Sequence, residues 1–231
     1  MRILSIAAAS LLLAAGAADA ATITINTLTN TIVQDFSDGD DIPRADFSGG
    51  PEDASAGGAI VTWESTNTFS VFSGYTCSYS LVDNGDWFGD DGNRDGFVGL
   101  NSQSGAMTFT FDTPVAGVGG FVNYSVFNGS PDGDTPTLSI FDGGGTLLET
   151  FDLFNDAPID TPAQSNAGAF RGFSRAQADI ASFELSGAFI VLDDLTFTDE
   201  VASSVIPVPA ALPLMLSAMG GLALIARRRA R

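Results

Sequence analysis

Short runs of β-forming residues, each ended by turn residues, set the strongest limit on how this chain can fold. They include ATITIN, AIVTWE, AMTFTFD, TLSIFD and AFIVL, with Gly, Asp and Pro between them. β-Branched and aromatic residues favour strands, whereas Gly, Asp and Pro interrupt them. In AMTFTFD, Met107, Phe109 and Phe111 alternate with threonines, which is typical of a strand with one buried face. The pattern predicts an all-β fold with very little helix.

The spacing of these runs favours an antiparallel β-sandwich of the jelly-roll kind over residues 21–201. Asp142-Gly143-Gly144-Gly145 separates two strand patterns and predicts a hairpin turn. Three stretches, 37–59, 82–95 and 152–168, read as long loops that carry many of the acidic residues. Loops of this length in a small domain are either functional or poorly ordered.

The charge of the chain excludes one class of partner. There are 28 acidic residues against 9 basic ones, and no lysine among the latter. Residues 21–205 hold 27 of the acids and only four arginines. Such a surface is repelled by phosphate backbones, so we expect no binding to nucleic acid.

Histidine is absent and Cys77 is the only cysteine. This composition excludes a Ser-His-Asp triad, a Cys-His pair and a His- or Cys-based zinc site. Cys77 alternates with tyrosines in YTCSYSLV, which favours a buried strand face, and a free thiol or an intermolecular bridge is the alternative.

Both ends of the chain read as targeting segments. Residues 1–20 contain one arginine, an apolar stretch and then Ala18-Asp19-Ala20, which is the plan of a secretory signal peptide cleaved after Ala20. Residues 210–226 carry no charge, and about 17 apolar residues approach the length needed to span a bilayer as a helix. The stop-transfer arginines that follow predict a cytoplasmic tail at 227–231 and a body outside; they are Arg227, Arg228, Arg229 and Arg231.

The residues before the apolar span form a recognisable motif at the end of a linker, 202–209. Ile206-Pro207-Val208-Pro209-Ala210 resembles the C-terminal sorting signal of the PEP-CTERM class, closest to its VPLPA-CTERM variant. The resemblance covers about the last 26 residues and implies export, retention by the tail and recognition by an exosortase-type membrane protease. It also implies an association with the cell surface and exopolysaccharide. Ile206 and Val208 replace the first Val and the Leu of that variant, and a plain single-pass anchor is the alternative.

Two groups of acidic residues are candidates for structural calcium. Asp193-Asp194, in AFIVLDDLTF, resembles the closing strand of jelly-roll carbohydrate-binding modules, and the resemblance implies that Asp35 joins them around the ion. Asp91, Asn93 and Asp95 match the first half of an EF-hand loop, but the bidentate Glu of its last position is missing. For both groups the alternative is solvated acidic turns and strand ends.

Trp87 lies in the acidic loop sequence DNGDWFGDDG. An exposed ring beside carboxylates could stack on a sugar. We favour the alternative, in which Trp87 and Phe88 fold back as a plug over the edge of the sandwich. Trp63, in a strand pattern, is expected in the core.

These observations favour an exported, non-catalytic β-sandwich protein of the cell surface or extracellular matrix, which is membrane-anchored or released. An alternative is a carbohydrate-binding module that recognises exopolysaccharide through an aromatic such as Trp87 or Tyr124. A glycoside hydrolase, which needs a pair of carboxylates, is a remote alternative, because so many acids give no specific pair.

Overall fold

The computed structural model describes residues 21–24, 26–36, 45–73, 78–89 and 96–198. The predicted signal peptide, the sorting motif Ile206–Ala210, the apolar span 210–226 and the terminal arginines lie outside them, as do Cys77, Asp91, Asn93 and Asp95. Among the described residues, no helix is long and apolar enough to cross a membrane.

The regular secondary structure of the described residues is β, as predicted, apart from one four-residue helix, α1 (Leu153–Asp156). The first nine strands are β1 (Ala21–Ile23), β2 (Thr31–Gln34), β3 (Ala45–Ser48), β4 (Glu52–Asp53), β5 (Val61–Ser65), β6 (Ser70–Phe72), β7 (Ser78–Ser80), β8 (Asp86–Phe88) and β9 (Val98–Gly99). The other nine are β10 (Ala106–Val115), β11 (Gly117–Asn123), β12 (Val126–Phe127), β13 (Ser130–Pro131), β14 (Thr137–Phe141), β15 (Leu147–Asp152), β16 (Ala169–Ser174), β17 (Ile180–Ser186) and β18 (Val191–Thr198).

The strands form two large sheets and two small ribbons. The eight-stranded sheet has the order β1-β16-β11-β18-β9-β6-β3, with β2 paired to the far end of β18. The six-stranded sheet has the order β15-β14-β17-β10-β5-β4, and β7-β8 and β12-β13 are separate ribbons. Every pairing between these strands is antiparallel, which confirms the coarse prediction.

Strand β10 shows why the residue pattern predicts the sheet. Met107, Phe109 and Phe111 are at most 5% exposed, and Phe109 lies between Trp63 of β5 and Phe183 of β17 in the register. Trp63 is fully buried, which confirms its predicted place in the core. Alternate residues of a strand face opposite sides of a sheet, so the threonines of β10 face outward.

Aromatic rings of the two large sheets contact each other. Phe173 of β16 lies 6.4 Å from Phe183 of β17, and Phe111 of β10 lies 5.2 Å from Phe197 of β18, between ring centroids. All four rings belong to one buried apolar cluster. Aromatic pairs of this kind contribute about 0.5–1.5 kcal/mol beyond the area they bury.

The predicted turn at Asp142–Gly145 is confirmed between β14 and β15. The Oδ1 atom of Asp142 accepts hydrogen bonds from the backbone N–H groups of Gly144 and Thr146, both at 2.8 Å. These bonds lower the pKa of the Asp142 carboxyl group. Aspartate therefore stabilises this turn by acting as an acceptor for the backbone.

The first and last described strands leave the eight-stranded sheet at the same end. Ala21 of β1 is opposite Ser174 of β16, which is opposite Gly117 of β11. The Thr198 hydroxyl at the end of β18 accepts a hydrogen bond from the Gly117 N–H at 3.1 Å. Ala21 and Thr198 thus lie in one row across the sheet, roughly 14 Å apart for three strand spacings.

Candidate functional site

The structure brings two of the three predicted calcium ligands together. Strand β2 pairs with β18 so that Gln34 is opposite Leu195, which places Asp35 next to Asp194 at the end of the ladder. Partial burial of the carboxyl group, and then the negative charge of Asp35, raise the pKa of Asp194. Two like charges in proximity disfavour ionisation of one of them.

The backbone at this place is irregular. The register between β11 and β18 shifts between Gly119 and Phe121, and Asp194 has a positive φ of 51°. The Asp194 N–H donates to Oδ1 of Asp193 at 2.7 Å, so the two neighbouring aspartates are hydrogen-bonded to each other. A bulge of this kind changes the direction of side chains along a strand.

A three-ligand metal centre is not formed by the residues that the structure describes. Within them, no group of three or more His, Cys, Asp or Glu side chains is arranged to hold a metal ion. Asp35 and Asp194 therefore stand as a carboxylate pair, and structural calcium at Asp35, Asp193 and Asp194 stays a prediction.

Trp87 is only 2% exposed, so its ring presents no accessible face for the suggested stacking on a sugar. The ring lies 6.3 Å from those of Phe97 and Phe121, in a small apolar cluster with Tyr79 and Val191. The plug interpretation agrees with this placement of Trp87. Phe88, which we expected to be part of the plug, is 39% exposed.

This cluster covers the outer face of the eight-stranded sheet. Val191 and Phe121 pack in it, whereas their neighbours Leu192 and Val122 belong to the main core. Because successive residues of a strand face opposite sides, the β7-β8 ribbon lies on the face away from the main core. We call the ribbon and its cluster the cap.

Tyr124, the other aromatic suggested for sugar binding, is 1% exposed, so its ring is not accessible to a sugar either. Its hydroxyl oxygen accepts a hydrogen bond from the Ile159 N–H at 3.3 Å, and burial raises its pKa. The ring thus serves to hold the loop after α1 against β11.

A buried amide joins the cap to that loop. The Asn84 Nδ2 atom donates to Oδ1 of Asn123 at 3.1 Å and to the carbonyl oxygens of Tyr124 at 3.0 Å and Ile159 at 3.1 Å. Thr161 completes the set, because its hydroxyl donates to the Asn84 carbonyl oxygen at 2.9 Å. We call this group, Asn84, Asn123 and Thr161 with their backbone partners, the amide network.

Loops 82–95 and 152–168 make a second contact, beyond the amide network. The Phe88 N–H donates to Oδ1 of Asn166 at 2.6 Å, and the Asn166 Nδ2 donates back to the Phe88 carbonyl at 3.0 Å. Asp86 and Ser165 form a β-bridge beside them. The described parts of loops 82–95 and 152–168 are therefore ordered against each other.

Arg171 of β16 is a buried cation with an unusual set of partners. Its side chain is satisfied by carbonyl oxygens, with Nε and Nη2 donating to Ala157 at 3.2 and 3.1 Å and Nη1 donating to Phe170 at 2.9 Å. Further bonds reach Thr24 and Pro158, both at 3.2 Å. Burial lowers the pKa of Arg171. The guanidinium thus fastens the loop after α1 to the sheet.

Analysis of the residue pattern did not find the amide network or Arg171. Asn84 lies in the turn-like sequence VDNGD, and its partners are distant in the chain. For Arg171 the sequence offers one signal, the scarcity of arginine, since residues 21–205 contain only four.

The architecture and these sites can be compared with known proteins. No protein-family model, no curated protein and no solved structure matches this chain.

Proposed function

We propose that this protein is an exported, non-catalytic β-sandwich of the cell surface or extracellular matrix, processed or anchored through its C-terminal sorting signal. One observation carries the proposal. A signal-peptide pattern, an acidic all-β body, a Pro-x-Pro motif, an apolar span and terminal arginines follow one another in the order that export requires. An exosortase-type membrane protease would act at the motif Ile206–Ala210.

The jelly-roll-like sandwich is part of this proposal. The contacts of Phe173 with Phe183 and of Phe111 with Phe197 support it, since each joins the eight-stranded sheet to the six-stranded one. Face-to-face packing of two antiparallel sheets produces such a shared aromatic core.

The uses of the buried polar side chains support a structural role. The side chains of Asn84, Asn123 and Arg171 donate hydrogen bonds to backbone carbonyl oxygens and so connect loops to the sheet. Such bonds fix a single arrangement of the loops. Trp87 and Tyr124 are buried, so they do not support the carbohydrate-binding alternative.

Intact-mass spectrometry of the protein recovered from its own cells and medium tests the proposal. We expect an N-terminus at Ala21 and a C-terminus that lacks the arginine tail. A Pro207→Ala/Pro209→Ala double variant should retain the tail, whereas Pro213→Ala, outside the motif, should be processed normally.

Three results would contradict parts of the proposal. A chain that begins at Met1 in the cytosol would remove export. A body outside the cell with an uncut tail in both the parent and the double variant would leave a plain anchor. Processing that is unaffected by the double variant would remove the sorting motif.

A further inference from the structure

A groove crosses the turn that joins β4 to β5. It consists of two cavities of about 260 and about 480 Å³, one on each side of the turn. Residues 57–60 line both, so the two cavities adjoin the same turn. The smaller cavity is otherwise lined by Ile32, Phe111, Asp112, Thr113, Val115, Phe197 and Thr198, and the larger by Val33, Asp53, Ser55 and Ala56.

The turn leaves this groove open because its tip has no side chains. Ala56 and Ala59 exchange two backbone hydrogen bonds, of 3.2 and 2.9 Å, around Gly57 and Gly58. Both glycines have positive φ, 57° and 87°, which a two-residue hairpin of this type requires. A Cβ atom on Gly58 would have no neighbour within 4 Å.

Strand β2 borders the groove with an edge that carries no strand. Among the described residues, β2 pairs with β18 on one side and with no strand on the other. The Gln34 Nε2 donates to the Ser55 carbonyl at 2.9 Å and so holds the turn at a fixed distance from β2. An edge of this kind presents unpaired N–H and C=O groups to an incoming strand.

The walls of the groove combine exposed aliphatic side chains with carboxylates. Val33 is 46% exposed and Ile60 is 62% exposed. Asp53 and Asp112 lie in the lining, and none of its described residues is an arginine. Hydrogen bonds from Ser55 lower the pKa of Asp53, so its carboxylate is charged at neutral pH. A cationic partner with apolar side chains complements these walls.

We propose that the groove binds an extended peptide in which apolar residues alternate with lysine or arginine, added as a strand to the edge of β2 that pairs with no described strand. Main-chain hydrogen bonds to β2 would supply affinity, as in other cases of strand addition. Because side chains alternate along a strand, one set would contact Val33 and Ile60 while the other reaches Asp53 and Asp112. This inference does not depend on the proposed function.

Calorimetric titration of the full chain with synthetic peptides is the first test. The probe is a six-residue peptide of alternating lysine and valine with blocked ends. One control has glutamate in place of lysine, and another has proline at a central position, which removes a ladder hydrogen bond. We expect the lysine peptide to bind at least about tenfold more tightly than either control. Equal binding of the three, or no binding, would overturn the proposal.

Matched variants locate the site. Ile60→Lys should weaken binding of the lysine peptide about tenfold, and Asp53→Asn/Asp112→Asn should weaken it about fivefold with a smaller salt dependence. Leu147→Lys changes another exposed aliphatic residue, and Asp142→Asn changes another turn carboxylate, so both should bind as the parent does. The changed residues are exposed, except Asp142, which is partly exposed and keeps an acceptor oxygen as asparagine. Equal melting temperatures would show that all four variants fold. Equal weakening by the Leu147 and Ile60 variants would overturn the site.

Hydrogen exchange distinguishes strand addition from other binding. The peptide should slow exchange of the β2 amides, measured on a fragment covering residues 31–36, by about tenfold. Protection elsewhere without protection of β2 would overturn the proposal. So would displacement of the peptide by an equal concentration of a neutral β-glucan hexasaccharide, which would identify the groove as a glycan site.

Discussion

At the scale of single residues, two buried tyrosines make the stability of the fold depend on pH in the alkaline range. Burial raises the pKa of both Tyr79 and Tyr124 above the ordinary value of 10.0. In the unfolded chain they ionise near that value, but in the folded chain they stay protonated. Their contribution to stability is therefore complete below about pH 10 and is lost as the pH rises further.

Urea unfolding between pH 8 and pH 11 tests this coupling with Tyr79→Phe. At pH 8 the variant should lose about 1 kcal/mol, because the Asn101 N–H no longer has the Tyr79 hydroxyl oxygen as its acceptor. Above pH 10 the free energy of unfolding should fall less steeply in the variant than in the parent. Parallel curves would show that Tyr79 ionises alike in both states.

Asp194 gives a second prediction at this scale. Its pKa is raised, so its charged form is disfavoured in the folded state, and stability is lost as the pH rises through its folded pKa. In chelator at pH 7, Asp194→Asn should be more stable by on the order of 0.5 kcal/mol, since solvent screens the carboxyl group, which is only partly buried.

If the predicted site binds calcium, the parent should become more stable than Asp194→Asn when calcium is added. A bound ion stabilises the state that binds it, so the parent should melt at a higher temperature in millimolar calcium and Asp194→Asn should gain less. Asp142→Asn is the control, because Asp142 lies in the β14-β15 turn of the other large sheet. A melting temperature that is unchanged from micromolar to millimolar calcium would remove the calcium prediction.

At the scale of elements, the amide network predicts how the two loops depend on each other. Asn84→Ala removes the donor to the carbonyl oxygens of Tyr124 and Ile159, and one of the two donors to Oδ1 of Asn123. We expect a loss of about 3 kcal/mol in the free energy of unfolding, with faster amide exchange in both loops. Asn155→Ala, at an exposed position beside Asp152, should cost less than about 1 kcal/mol. Faster exchange in only one loop would contradict the coupling.

Strands β11 and β16 give a second prediction at this scale, because Gly172 is opposite Gly119 in a tight approach. A Cβ atom on Gly172 would lie 2.3 Å from the Val118 carbonyl oxygen and 2.6 Å from the Gly119 Cα. Backbone atoms cannot move aside, so Gly172→Ala should cost roughly 3 kcal/mol. Gly143→Ala, with nothing within 4 Å, is the matched control in thermal unfolding. Equal melting temperatures would contradict the steric argument.

Individual elements show which parts of the fold the residue pattern can predict. Strand β10 and the turn at Asp142 are predictable because alternation and turn chemistry depend on residues that are close in the chain. Strand β11 also follows from its pattern, VGGFVNY, but its partner β16 does not, since AFRGFS shows no clear strand pattern and only the pairing with β11 makes it a strand. The nearness of Asp35 to Asp194 could be anticipated from a resemblance, whereas the partners of Asn84 lie up to 77 residues away.

At the scale of the whole molecule, charge predicts a response to salt. Of the two arginines whose side chains the structure describes, Arg171 is buried and Arg175 is paired with Asp179 at 2.8 Å. The acidic surface repels itself, so the melting temperature in chelator should rise by about 5 °C between roughly 20 mM and 500 mM sodium chloride. A fall with salt would show that ion pairs outweigh repulsion.

The shared row of Ala21 and Thr198 has a consequence for engineering and for attachment alike. Segments attached before Ala21 and after Thr198 leave the sheet at the same end. The other end of the sheet therefore faces away from the point of attachment. A bridge of about five residues would close the backbone into a ring. New termini could then be opened at the Asp142 turn without lengthening any other connection.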